Sequence, residues 1–160
     1  MKELRVESTL YVYDNLSELP EDVVYLMEKA VEARKKAYAP YSNFNVGAAI
    51  LLDNKEIVLG NNQENASYPS GLCAERTAIY YAGSQFPKAK IIRMAITAGS
   101  KRQKTTKPIP PCGSCRQAIA EYEIKQNTPI EIYFMGETGQ IIKANSLSSL
   151  LPLSFDKSVL

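Results

Sequence analysis

Two short stretches hold every cysteine of the chain, Cys73-Ala74-Glu75-Arg76 and Pro111-Cys112-Gly113-Ser114-Cys115-Arg116-Gln117. Sulfur donors grouped in this way select zinc over hard cations, and a Cys-x-x-Cys pair with a third cysteine elsewhere is a ligand set rather than three isolated thiols. A catalytic zinc site takes three protein ligands and keeps a position open for water, and three cysteines match that count, with one zinc per chain. A structural site needs a fourth protein ligand. The chain has no histidine, so only a carboxylate could close such a site.

Glu75 stands two positions after the first cysteine. A glutamate on a helix surface is by default a solvated residue, but one in the same helical turn as a metal ligand can reach the pocket that the ligand lines. Its expected role is to take a proton from water held at the metal and pass it to the substrate. The absence of histidine narrows the choice further: it excludes serine or cysteine hydrolysis through a histidine relay and also His-x-x-x-His zinc sites.

Three thiolates around Zn²⁺ leave a net negative centre, which makes bound water harder to ionise unless neighbouring groups draw charge away. Arg76 and Arg116 each directly follow a motif element and are candidates for that compensation; the plainer reading puts both on solvated helix faces.

The elements that must position these residues can be read along the chain. Leu4 to Leu16 alternates loosely and suits an extended segment. Ser17-Glu18-Leu19-Pro20-Glu21-Asp22 opens a first helix, with Val23, Leu26, Met27, Ala30, Val31 and Ala37 at helical spacing and Lys29, Arg34, Lys35 and Lys36 expected on its solvated side and end. Tyr41 to Leu52 reads as a buried strand, with Asp53-Asn54-Lys55 turning it into a short partner over Glu56 to Leu59. A loop over Gly60 to Gly71 leads to a helix over Leu72 to Ala82. Then come a strand over Ile91 to Thr97, a loop with three prolines over Gly99 to Pro111, and a helix over Gly113 to Tyr122. Ile130 to Met135 and Gln140 to Lys143 are strands, and Leu147 to Leu151 is a last turn or short helix. Each cysteine group therefore opens a helix, where backbone amides and the helix dipole favour thiolate over thiol. Alternating strands and helices predict an α/β domain, helices packed on a central sheet.

Composition sets the outer limits. A chain of 160 residues is one domain's length and folds without a metal staple, burying roughly 70% of the surface its unfolded chain exposes. The formal charge of +2 creates no field for polyanions, which argues against nucleic acid as a partner. No segment has the ~20 apolar residues of a membrane span, and Met1 to Glu7 lacks the apolar centre of a signal peptide. Three cysteines with no secretion signal point to a reducing, cytoplasmic compartment.

The Cys-x-Glu and Pro-Cys-x-x-Cys pair is the three-thiolate form of the zinc deaminase signature. Together with Tyr41-Ser42-x-Phe44-x-Val46-Gly47-Ala48-Ala49 and Asn62-Gln63-Glu64-Asn65-Ala66, in this order, it resembles the small homotetrameric cytidine deaminases from about Leu19 to Phe155. The resemblance implies a three-layer α/β/α fold, with a mixed sheet carrying helices on both faces. Residues 1–18 would be an extension packed on a single catalytic domain, 19–160. It also implies zinc on Cys73, Cys112 and Cys115, with Glu75 as proton shuttle. Asn62 and Glu64 would hold the sugar hydroxyls, and Phe44 and Ala74 would line the nucleoside pocket. Phe155 would stack on the base in a neighbouring subunit's site, which requires an oligomer with sites at subunit interfaces. The implied reaction is hydrolytic deamination of cytidine and deoxycytidine to uridine and deoxyuridine, in pyrimidine salvage, on a free nucleoside because a carboxylate at Glu64 accepts from hydroxyls and repels phosphate.

Two alternatives share the fold: a deaminase of a modified cytosine nucleoside such as blasticidin S, and a nucleic-acid editing deaminase. The second more often carries His-x-Glu, which this chain lacks. A departure from the compact members is the long basic loop Gly99 to Pro110, with Lys101, Arg102, Lys104 and Lys107.

Overall fold

A computed structural model describes residues 1–160, the side chain of Val159 excepted. Apolar residues at helical spacing fold the first long element as α1 (Glu21–Lys35), which buries Val23, Leu26, Met27, Ala30 and Ala33 along one stripe. The short-side-chain run after it is β2 (Phe44–Leu52), paired antiparallel with β3 (Ile57–Asn61) across the Asp53–Lys55 turn. Next come α2 (Ala74–Gln85), β4 (Ile91–Ser100), α3 (Gly113–Gln126), β5 (Glu131–Met135) and β6 (Ile141–Ala144). The loose N-terminal alternation yields one short strand, β1 (Tyr11–Tyr13), antiparallel to β6; residues 1–10 are exposed and form no element.

The six strands make one sheet in the order β1-β6-β5-β4-β2-β3, antiparallel throughout except for the parallel pair β4–β5 that α3 connects. Both faces of β2 are covered, which is why it reads as a continuous apolar run rather than an alternating one. Ala48, Ile50 and Leu52 pack with Ala74, Ala78 and Ile79 of α2 and Ile119 and Ala120 of α3. Ala49 packs with Val23, Leu26, Met27 and Ala30 of α1 on the other side. The result is the expected three-layer mixed α/β architecture.

Two glycines set the helix positions. A Cβ on Gly47 would run into the Ala30 carbonyl and the Arg34 amide, so α1 lies directly on β2. A Cβ on Gly60 would strike the Ala74 carbonyl and the Ala78 amide, so the first turn of α2 lies directly on β3. The second contact fixes the height of the helix that starts at Cys73.

Arg34 corrects one expectation. It does not join a solvated cationic helix end: its Nη1 turns inward and donates to Thr97 Oγ1 at 2.8 Å, and burial lowers its pKa against the raising effect of Glu137. The basic loop is likewise held. Thr105 N–H donates to Glu137 Oε2 at 2.9 Å, Glu137 N–H donates to Thr105 O at 2.7 Å, and Lys101 N–H donates to Asn43 O at 2.9 Å, while the four cationic side chains stay exposed. No helix among the described residues is long and apolar enough to cross a membrane.

Candidate metal centre and active site

Cys73 is the N-cap of α2 and Cys112 the N-cap of α3, both in extended backbone conformation and neither making a side-chain capping hydrogen bond. Their sulfurs are thus free to face each other across the gap between the two helix starts, while the amides of each first turn lend positive potential. Cys115 sits buried in the first turn of α3. The three Sγ atoms lie within 4.8 Å of one another, with Cys73–Cys112 at 3.9 Å and Cys112–Cys115 at 3.5 Å. A disulfide holds its sulfurs at about 2.05 Å, so these are three separate ligands. Tetrahedral zinc with Zn–S bonds of about 2.3 Å requires sulfur–sulfur edges of about 3.8 Å, a length the two distances bracket. The donor set and its spacing fit zinc.

The electrostatics agree. The sulfurs compete for negative charge. Hydrogen bonding from Cys115, then the guanidinium of Arg76, pulls the Cys73 thiol down to about 5 against the effect of burial. Cys115 is pushed up, first by its hydrogen bond to Cys73 and then by burial and the charge of Glu75. A divalent cation ends that competition by stabilising all three thiolates together.

Glu75 occupies the first turn of α2 and is 4% exposed. Burial raises its carboxyl to about 7; the charge of Cys73 adds to the rise, while its own backbone amide, Cys115 and Arg76 oppose it. The carboxyl therefore shares the sulfurs' pocket. A carboxyl that exchanges protons near neutrality is what acid–base transfer at neutral pH needs.

Arg76 Nη2 donates to Cys73 Sγ at 3.7 Å, and that bond is the first cause of its raised pKa. Arg116 does not do the same, which corrects the symmetric expectation. Its Nε donates to Pro111 O at 2.8 Å and its Nη1 to Leu150 O at 2.7 Å, so it braces the backbone that enters Cys112 rather than a sulfur.

Of the residues expected at the nucleoside, Phe44, Asn62 and Glu64 come together. Asn62, 9% exposed, accepts from Val46 N–H at 2.7 Å and donates to Phe44 O at 2.9 Å, pinning the start of β2. Glu64 accepts from the amides of Tyr41 at 2.9 Å and Ser42 at 3.2 Å and from the Ser42 hydroxyl; burial is the largest single effect and raises its pKa, but the three bonds together outweigh it and hold the carboxyl below its ordinary value. Both side chains thus organise the Tyr41–Val46 block, and the Glu64 oxygens keep acceptor capacity beyond those three bonds. Ala74 is buried at the start of α2, against Gly60. Phe155 lies apart, its side chain 61% exposed. Its carbonyl accepts from Gln117 Nε2 at 2.9 Å, which ties the tail to the helix that carries two of the sulfurs. Sequence reasoning gave Gln117 no role, because its partner is a backbone carbonyl 38 residues away.

Comparison with known proteins gives the same reading. The model for the cytidine and deoxycytidylate deaminase zinc-binding region matches residues 20–129. The chain is 40% identical to the cytidine deaminase of Halalkalibacterium halodurans over 130 residues, covering 81% of this chain and 91% of that one. It is 38% identical to the cytidine deaminase of Sporosarcina psychrophila over 136 residues, covering 85% and 93%. Among solved structures, cytidine deaminase from Burkholderia pseudomallei superposes with a TM-score of 0.71 at 35% identity, covering 86% of this chain and all of that one. The enzyme from Mycobacterium tuberculosis superposes with a TM-score of 0.65 at 30% identity, covering 86% and 99%. Three sulfurs at zinc spacing, a buried glutamate beside them and this match over most of the chain place the protein in the cytidine and deoxycytidylate deaminase family.

Proposed function

We propose that the protein hydrolyses the exocyclic amine of cytidine and deoxycytidine, giving uridine or deoxyuridine and ammonia, in pyrimidine salvage. The observation that carries this reading is the buried Glu75, in the first turn of α2 two residues after Cys73, beside a three-sulfur cluster that fits zinc. Zinc held by Cys73, Cys112 and Cys115 supplies the Lewis acidity that makes water ionisable near neutral pH. Glu75 takes the proton released as water adds to the amine-bearing carbon and delivers it to the adjacent ring nitrogen. It then takes the second proton of that water, from the hydroxyl now on the same carbon, and gives it to the departing amine as the carbonyl forms, so its carboxylate ends as it began. Arg76 draws charge from Cys73 and keeps the sulfur cluster from over-stabilising the protonated water.

Phe44 and Ala74 line the base pocket, and Asn62 and Glu64 meet the ribose hydroxyls. The Glu64 carboxylate favours a free sugar over a phosphorylated one or a polynucleotide strand, and an unmodified ribose over a bulky replacement such as that of blasticidin S. The working unit is a homotetramer in the cytoplasm, with Phe155 of each chain reaching a neighbour's base and residues 1–18 as an accessory segment of the catalytic domain. In support, Phe155 is largely exposed, and Tyr41 and Tyr68 stand exposed beside Glu64 with ring centroids 6.4 Å apart, an aromatic surface of the kind that protein interfaces cover.

The test is the loss of cytidine ultraviolet absorbance with purified protein, run beside CMP and blasticidin S. Turnover of cytidine with little on the other two supports the reading. Equal or better turnover of either alternative overturns the assigned substrate. Light scattering on the same sample checks the tetramer.

A further inference from the structure

At the opposite end of α2 from Cys73 lies a second concavity of about 230 Å³. It opens between the C-terminal ends of α2 and α3 and the start of β4. At 1.5 Å rise per residue it is roughly 15 Å along the helix axis from the sulfur cluster, so it is no part of the site described above.

Its floor is apolar, with the half-buried Phe86 and the buried Ile91. One wall is Tyr122, laid against α2 so closely that a Cβ on Gly83 would collide with its phenol. That hydroxyl has no hydrogen-bond partner among the described residues. Three lysines, Lys88, Lys90 and Lys125, stand in the lining, which contains no carboxylate. None of the three forms an ion pair among the described residues. The nearby Asp53 carboxylate is taken up by the Lys90 amide rather than its ammonium, and Lys125 instead lies over the Tyr122 ring at 5.7 Å. Lys90 Nζ donates to Thr128 Oγ1 at 3.4 Å, a neutral partner, so three exposed ammonium groups border the apolar slot with no carboxylate paired to them.

We propose that this concavity binds a small ligand consisting of one aromatic ring bearing a phosphate. The ring lies between Phe86 and Tyr122, and the dianion meets the three ammonium groups. The volume, below the roughly 300 Å³ at which pockets for larger ligands begin, restricts the slot to a single ring, and three cations match a dianion better than a carboxylate.

The proposal does not rest on the deaminase reading and is tested by binding alone. The zinc-loaded protein is titrated calorimetrically with phenyl phosphate, inorganic phosphate and phenol, alongside Lys88→Glu/Lys125→Glu and the milder Lys88→Gln/Lys125→Gln. Phenyl phosphate is expected to bind one per chain, at least about ten-fold tighter than either fragment and more weakly as salt rises. The Glu pair should lose about ten-fold or more, the Gln pair less, with cytidine turnover and melting temperature unchanged in both. Equal affinity for phosphate and phenyl phosphate, affinity that survives both substitutions, or no saturable binding overturns it.

Discussion

Arg76 donates from Nη2 to Cys73 Sγ at 3.7 Å, three residues back along the same helix. The bond places a cation against the one ligand contributed by α2, and the Nε of the same guanidinium is buried without a partner. Charge is thus supplied to the sulfur cluster at some cost in desolvation, which a purely structural arginine would not bear.

Arg76→Ala is therefore expected to retain zinc while kcat falls by about ten- to a hundred-fold, the range for residues that tune a metal through its ligand. Metal content and steady-state rates check it. A variant with full kcat would leave Arg76 no electrostatic role.

Arg116 calls for the opposite outcome. It joins Pro111 O to Leu150 O, so removing it strands two backbone acceptors beside Cys112. Arg116→Ala is expected to unfold at lower denaturant, by about 2 kcal/mol, and to release zinc more readily to a chelator. The activity that remains per bound zinc should be near wild type, whereas an arginine compensating the sulfurs would lose activity at full metal load.

The third prediction concerns pH. Glu131 on β5 lies between Arg93 on β4 at 2.5 Å and Lys143 on β6 at 2.6 Å. Burial raises its pKa, but the bonds from Lys143 and Arg93 outweigh that and leave it below the ordinary 4.5. A depressed carboxylate pKa stabilises the fold above the unfolded value, and the contribution disappears as pH falls through the folded one. Glu131→Gln should therefore be less stable than wild type at pH 7, with the gap closing as pH falls below the ordinary glutamate value of about 4.5. Loss of zinc in acid affects both proteins alike and cancels in the difference. Denaturation curves at pH 7 and at successively lower pH would show a constant gap if the ion pairs contributed nothing.

What the sequence discloses about this protein follows the reach of its physical signals. Cys73, Cys112 and Cys115 were legible because each lies at a helix start, and the local pattern of apolar residues marks helix starts. The place of Glu75 in the first turn of α2 is legible through its two-residue distance from Cys73. The partners of Arg116, Asn62 and Gln117 were not, because they are backbone groups that carry no side-chain signature and lie up to 38 residues away. The pairing of β1 with β6 brings Tyr13 to Ile141 with only three residues in register, too few to write a pattern. The apolar pattern alone ends α3 early, at Tyr122. The helix runs to Gln126, and Asn127 stops it by turning into the left-handed region at φ 49°.

The central claim is that Glu75 moves protons beside a zinc it does not bind. Cytidine turnover and zinc content, measured together on wild type and Glu75→Gln, test it most directly. The account predicts near one zinc per chain in both proteins, and turnover in the variant reduced by between about a hundred- and ten-thousand-fold. Loss of zinc from the variant, or turnover close to wild type with zinc in place, would contradict it.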